Sequence, residues 1–176
     1  MKQSKKELGY IAGNLFNEAE VAQRKKEGAL LRKWRPDIEW YNPIEAPIND
    51  KSTMPTAADI FWGDTNKVLA SKHVVVDMTC LDLGTAYEMG IAWTINFMHK
   101  FFKKNKNAKA LKELEAAFPK KQIIGVLSDI RVPTAGKYED MFVPYGINQY
   151  YLGGILDDGK VVHKFAEVQK LLKKNK

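Results

Sequence analysis

His73-Val74-Val75-Val76-Asp77-Met78 is the stretch that most limits what this chain can fold into. A run this apolar, without the alternation of a half-wetted strand, reads as a β-strand covered on both faces. Such strands sit in sheets with helices on either side, because parallel neighbours must be joined by crossovers. The rest of the chain has the matching order. Leu8 to Ala12 reads as a first buried strand ended by Gly13-Asn14, with Asn17 or Asn14 placed to cap a helix from about Glu18 to Lys33. Ile38 to Tyr41 is a short second strand stopped by Asn42-Pro43. In Met54 to Ala70, the residues Ile60, Phe61, Val68 and Leu69 recur at roughly helical spacing. Gln122 to Leu127 adds a further strand. The expected architecture is a doubly wound α/β sandwich, flavodoxin-like or Rossmann-like, with about five mainly parallel strands and a ligand site beyond their carboxyl ends.

With 176 residues, 45% of them apolar, the chain suits a single domain over residues 1–176. No apolar run approaches bilayer length, and Met1-Lys2-Gln3-Ser4-Lys5-Lys6 leads straight into the first strand rather than into a signal-peptide core. The expected setting is therefore the cytoplasm, with no membrane partner. Cys80 has no companion for a disulfide and reads as a small buried side chain, while His73, His99 and His163 are scattered singly, so no metal site is expected. A net charge of +7 raises the question of nucleic acid. The excess, however, is concentrated at Lys100, Lys103, Lys104, Lys106, Lys109, Lys112, Lys120 and Lys121, and again at Lys170, Lys173, Lys174 and Lys176. Solvated helix faces and a tail account for it without a nucleic-acid partner. Part of that charge lies in a Lys-rich helical insertion near residues 101–120, predicted to pack through Leu111, Leu114 and Phe118.

The segment after the apolar run carries the chemistry. Asp82 is placed to cap a helix, and Gly84, Tyr87, Glu88, Ile91, Ile95 and Met98 then recur on one face at three- and four-residue spacing. A carboxylate on the inward stripe of an otherwise apolar helix is costly unless paired or used. Glu88 therefore stands either as a functional carboxylate or as a structural one with a partner that the sequence does not reveal. Its place just past a strand's carboxyl end favours function, and Gly13, Asn14 and Phe16 reach the same rim from the first strand. The small residues Gly13 and Gly84 would allow close approach of backbone to a ligand. Neither a dinucleotide fingerprint nor a Walker phosphate loop is present.

Tyr10-Ile11-Ala12-Gly13-Asn14-Leu15-Phe16-Asn17 and Asp82-Leu83-Gly84-Thr85-Ala86-Tyr87-Glu88-Met89-Gly90 resemble two signatures of the nucleoside 2-deoxyribosyltransferase family. The similarity continues through Tyr41-Asn42-Pro43, Asp64 and Asn148, and so spans most of the chain. This resemblance implies exchange of 2-deoxyribose between nucleobases, a step of nucleotide salvage, with deoxynucleosides and free nucleobases as substrates and no cofactor. Glu88 matches the family's nucleophile, which forms a covalent deoxyribosyl intermediate; cleavage by a carboxylate followed by attack on the same face gives net retention. Asp64 and Asp82 match acids that contact the base, with Asp82 favoured as proton donor. Tyr10 matches a tyrosine that holds the nucleophile, and Phe16 an aromatic that flanks the base, with Trp62 a further candidate for the base pocket. Asn148 matches a residue supplied by a neighbouring subunit, which implies a homo-oligomer with a shared active site. Pro43-Ile44-Glu45-Ala46-Pro47 departs from the family in lacking the glutamine that some members use to read the base.

Two other readings compete. A related hydrolase would cleave nucleoside 5′-monophosphates with the same carboxylate, but needs a phosphate cradle, and the Gly13 to Phe16 turn offers no hydroxyl cluster. A non-catalytic nucleotide-sensing or nucleic-acid-binding domain would use the basic stretches and leave Glu88 unexplained.

Overall fold

The computed structural model describes residues 6–79, 82–129, 137–138, 141–142 and 147–172. Cys80 and Tyr145 lie outside the described residues. The elements run β1 (Glu7–Ala12), α1 (Glu18–Trp34), β2 (Ile38–Tyr41), α2 (Ala57–Ala70), β3 (His73–Asp77), α3 (Leu83–Lys104), α4 (Ala108–Ala117) and β4 (Gln122–Val126). They continue with β5 (Lys137–Tyr138), β6 (Met141–Phe142), α5 (Gln149–Asp158), β7 (Gly159–Val162) and α6 (Phe165–Leu171). Short 3-10 turns join β2 to α2. The main sheet has order β2-β1-β3-β4-β7 with every pairing parallel, and β5 and β6 form a separate two-residue ladder. This is the doubly wound α/β fold. Its strand order reverses between β1 and β3, where folds of this kind leave a crevice for a ligand.

The continuous apolar run is explained by cover on both faces. Tyr10, Ala12, Val74, Val76 and Ile123 face a core shared with Val68 of α2, Met89 and Ala92 of α3 and Ile155 of α5. Ile11, Val75, Ile124 and Val126 face the opposite core, with Leu31 of α1 and Val168 of α6. The alternation of strand side chains thus splits each strand between two cores. Helix starts are settled locally: Asn17, not Asn14, caps α1 in a capping box with Glu20, Thr56 and Asp59 do the same for α2, and Asp82 caps α3. The Lys-rich segment is the end of α3 followed by α4, and Leu111, Leu114 and Phe118 are its half-buried side chains, as expected.

Register fixes two pairs that matter later. Gly9 lies beside Trp40, and Tyr10 beside Tyr41. The Trp40 ring occupies the space next to Gly9, where an added Cβ would stand 2.4 Å from a ring carbon. A rigid, buried indole cannot yield as a flexible chain end can. Gly9→Ala is therefore expected to lower stability by about 1–3 kcal/mol, the usual cost of overpacking a core. Urea denaturation checks this; an unchanged midpoint would mean that the indole shifts without cost.

Candidate active site

Tyr10, fully buried in β1, sends its hydroxyl to the carboxyl end of the sheet and donates a 2.5 Å hydrogen bond to Oε1 of Glu88 on α3. Beside it, Tyr41 of β2 donates a 2.7 Å bond to Oδ1 of Asp64 on α2. The phenol rings are stacked, with centroids 5.5 Å apart and planes 22° from parallel, as neighbours in register on one sheet face should be. Two tyrosines from adjacent strands thus each hold one carboxylate from the helices above. Glu88 Oε2 and Asp64 Oδ2 are left without a hydrogen bond among the described residues.

Both carboxylates line one groove of about 430 Å³. Ile60, Phe61, Asp64 and Thr65 form its α2 wall, and Gly84, Tyr87, Glu88 and Ile91 its α3 wall. Phe61 and Tyr87 meet edge to face at 6.0 Å. No Lys or Arg lines this groove among the described residues. By contrast, a hollow of about 370 Å³ elsewhere is edged by Lys72, Lys100, Lys103 and Lys120. Most of those ammonium groups are already paired: Lys100 with Asp157 and Asp158, Lys120 with Asp158, and Lys72 with Glu7.

Burial pushes the Glu88 carboxyl up to about 8, and the negative charges of Asp64 and Asp82 add to that rise. The Tyr10 hydrogen bond acts the other way, favouring the carboxylate, but does not offset desolvation. Burial first, and then the charges of Glu88 and Asp64, hold the Tyr10 phenol well above its ordinary value, so it remains a donor. Tyr41 is raised for similar reasons, burial before its bond to Asp64.

A buried ionic network supports the rim. Arg24 of α1 reaches Asp77 at the end of β3 (2.6 Å) and Glu27 (3.1 Å), and Asp77 in turn accepts from the amide and hydroxyl of Thr79. A Cβ at Gly13 would stand 1.9 Å from Arg24 Nη1, so the missing side chain at Gly13 makes room for the guanidinium. The following turn folds onto Glu20, which accepts from Asn14 and from the Phe16 amide.

The sequence model of the nucleoside 2-deoxyribosyltransferase family matches residues 10–171. The chain belongs to that family. A protein of Ureaplasma parvum serovar 3, described as uncharacterized, is 33% identical over 96 residues, which is 49% of this chain and 60% of that protein. The match therefore covers less than two thirds of the relative's length. Among solved structures, a conserved protein from Enterococcus faecalis V583 has a TM-score of 0.66 at 23% identity, over 94% of this chain and 96% of that one. A 2-deoxyribosyltransferase from Leishmania mexicana has a TM-score of 0.53 at 16% identity, covering 95% and 99%. Another, from Bacillus psychrosaccharolyticus, has 0.51 at 15%, covering 92% and 90%. At these identities the likeness is one of fold.

The residues expected from the sequence divide into those brought together and those left apart. Tyr10, Asp64 and Glu88 meet at the groove; Asp82 stands near enough to act on Glu88 by charge, while its Oδ2 accepts from the amide and hydroxyl of Thr85 as helix cap. Phe16 (76% exposed) and Trp62 (57% exposed) do not line the groove; Phe61, edge-on to Trp62, does. Asn148 is exposed at the start of α5 and caps it by accepting from the Tyr151 amide. The α3 stripe also needs correction. Of the expected stripe, Gly84, Tyr87, Glu88 and Ile91 face the groove, Ile95 is buried as expected and Met98 is half-buried; the other buried positions are Thr85, Met89, Ala92, Asn96 and His99. Sequence reading named Tyr41 within the family resemblance without giving it a role, and missed Thr65 and the Arg24–Asp77 pair as parts of the site. The spacing of Arg24, Glu27 and Leu31 on one face of α1 was the available signal for that pair.

Glu88's raised value makes a stability prediction with a definite sign. A carboxyl that is easier to protonate in the folded state than in the unfolded one contributes stability below its ordinary value of 4.5, and that contribution is lost as pH rises through about 8. Glu88→Gln should therefore gain on the wild type as pH rises across this interval, with the gap in melting temperature closing below pH 4.5. A gap independent of pH would contradict the burial of this charge.

Proposed function

We propose that the chain transfers 2-deoxyribose between nucleobases through a covalent deoxyribosyl intermediate on Glu88. The observation that carries this reading is a carboxylate held by a buried phenol at the wall of a groove, opposite a second carboxyl, in a member of this family. In the first half-reaction the C–N bond breaks and Glu88 bonds to the anomeric carbon, while a proton reaches the departing base. A second base then attacks the intermediate from the face the first one left, restoring the carboxylate. Tyr10 orients Glu88 and favours its ionised form, which counters the effect of burial.

An exposed aromatic pair, Phe61 and Tyr87, offers flat apolar surface at the groove for a nucleobase. The groove's lack of Lys and Arg among the described residues favours neutral nucleosides over their 5′-monophosphates, and so transfer over the phosphate-dependent hydrolase. The second subunit that the family resemblance calls for fits the surface as well. Asn148 is exposed outside the groove, Tyr150 in the first turn of the helix it caps is 93% exposed, and Phe97 and Phe101 stack in a row on α3. Deoxynucleosides and free bases are thus the proposed small-molecule partners, and a second copy of the chain the proposed macromolecular one.

Incubation of the protein with a deoxynucleoside and a different free base tests the reading, with products separated by chromatography. A new deoxynucleoside is expected, rising with pH toward about 8 as Glu88 ionises, and absent with Glu88→Ala. Release of free base without exchange would favour a hydrolase, and cleavage confined to 5′-monophosphates would favour the phosphate-dependent one. Inertness toward all of these would overturn the enzymatic reading.

A further inference from the structure

We propose that Tyr41 is a positioning residue that fixes which oxygen of Asp64 delivers the proton to the departing base. This rests on the transfer reading above and assigns the donor role to Asp64, which lines the groove, rather than to Asp82, which caps α3 and is not among the residues that line it. The Tyr41 hydroxyl donates to Asp64 Oδ1 at 2.7 Å. In a carboxylic acid the carbonyl oxygen is the better acceptor of the two, so a phenol that donates to one oxygen favours the acid proton on the other. With Oδ1 occupied, the acid form of Asp64 has its proton on Oδ2, the oxygen without another hydrogen bond among the described residues.

Tyr41 is itself held on two sides. Its ring stacks on Tyr10, and the Lys67 ammonium group stands 5.3 Å from its centroid. The register of β1 and β2 sets the two phenols side by side, so the carboxylate that attacks and the carboxyl that protonates are referenced to the same pair of strands. In the first half-reaction, Oε2 of Glu88 bonds to the anomeric carbon and the electron pair of the breaking C–N bond leaves with the base. The reacting form is the one in which the two acids carry a single proton and that proton is on Asp64 Oδ2; it passes to that base, leaving Asp64 a carboxylate and Glu88 an ester. In the return half-reaction the incoming base loses its N–H proton to Oδ2 as its nitrogen displaces the ester.

Tyr41→Phe keeps the ring and its stacking and deletes only the hydroxyl. The measurement is kcat/KM for a series of deoxynucleosides whose leaving bases differ in acidity, for wild type and variant, with base release as the readout. A base that leaves readily as an anion needs little help from an acid, whereas a poor leaving base needs it fully. The variant should lose about tenfold to a hundredfold on the least acidic base, at or below the low end of what a positioned general acid contributes because only its positioning is removed, and little on the most acidic. Its dependence on leaving-base acidity therefore steepens. Asp64→Asn should steepen it too, which keeps the test open if Tyr41→Phe folds poorly. An equal loss across the series, or an unchanged dependence in Asp64→Asn, would overturn the assignment while leaving transfer intact. Failure of the wild type to release any base would instead overturn the transfer reading, and this inference with it.

Discussion

Tyr10 stands on a central strand with no exposure to water, and its hydroxyl donates to Glu88 on a helix of the layer above. That bond ties the sheet to the wall of the groove, and much of the site's logic depends on it. Without the phenol, a desolvated carboxylate facing the charges of Asp64 and Asp82 would have little to favour ionisation. With it, one oxygen is fixed and the other is left for chemistry. The arrangement needs a rigid base, and a parallel strand packed on both faces provides one. Tyr41 repeats the device one strand away, so the spacing of the two carboxylates follows from strand register.

The ionic network beneath the rim is a second constraint. Arg24 joins α1 to the end of β3 through Asp77, and Asp77 in turn holds Thr79, at the start of the segment that leads to Asp82 and α3. Gly13 is part of the same construction, since only a residue without a side chain leaves room for the guanidinium. Breaking such a pair leaves a buried charge uncompensated. The mouth of the fold is therefore stiffened at the point where its strand order reverses.

Much of this was legible in the sequence. The run from His73 to Met78, the capping residues Asn17 and Asp82, and the place of Glu88 beyond a strand pointed to the α/β fold and to the edge of the sheet that carries the site. The register of β1 and β2 was not legible, because pairing is a three-dimensional fact; Tyr41 therefore stood within the family resemblance without a role, although it lies beside Tyr10. The buried face of α3 was misread because polar side chains occupy it. Asn96 exchanges two hydrogen bonds with the Lys121 backbone and His99 bonds the Phe118 carbonyl, so both are buried but look wet in sequence. Tyr87 is exposed but looks buried, whereas Met89 and Ala92 are buried and stood off the expected stripe. Phe61 and Trp62 are adjacent aromatics, and only the rotation of α2 decides which one lines the groove.

Glu88 as the covalent nucleophile is the claim on which the rest turns, and peptide mass spectrometry tests it most directly. The protein would be mixed briefly with a deoxynucleoside in the absence of an acceptor base, quenched in acid, and then digested. The account predicts a gain of one deoxyribosyl group on the peptide containing Glu88, lost again when an acceptor base is added before the quench. Turnover of the nucleoside with no such adduct, or an adduct on another residue, would contradict it.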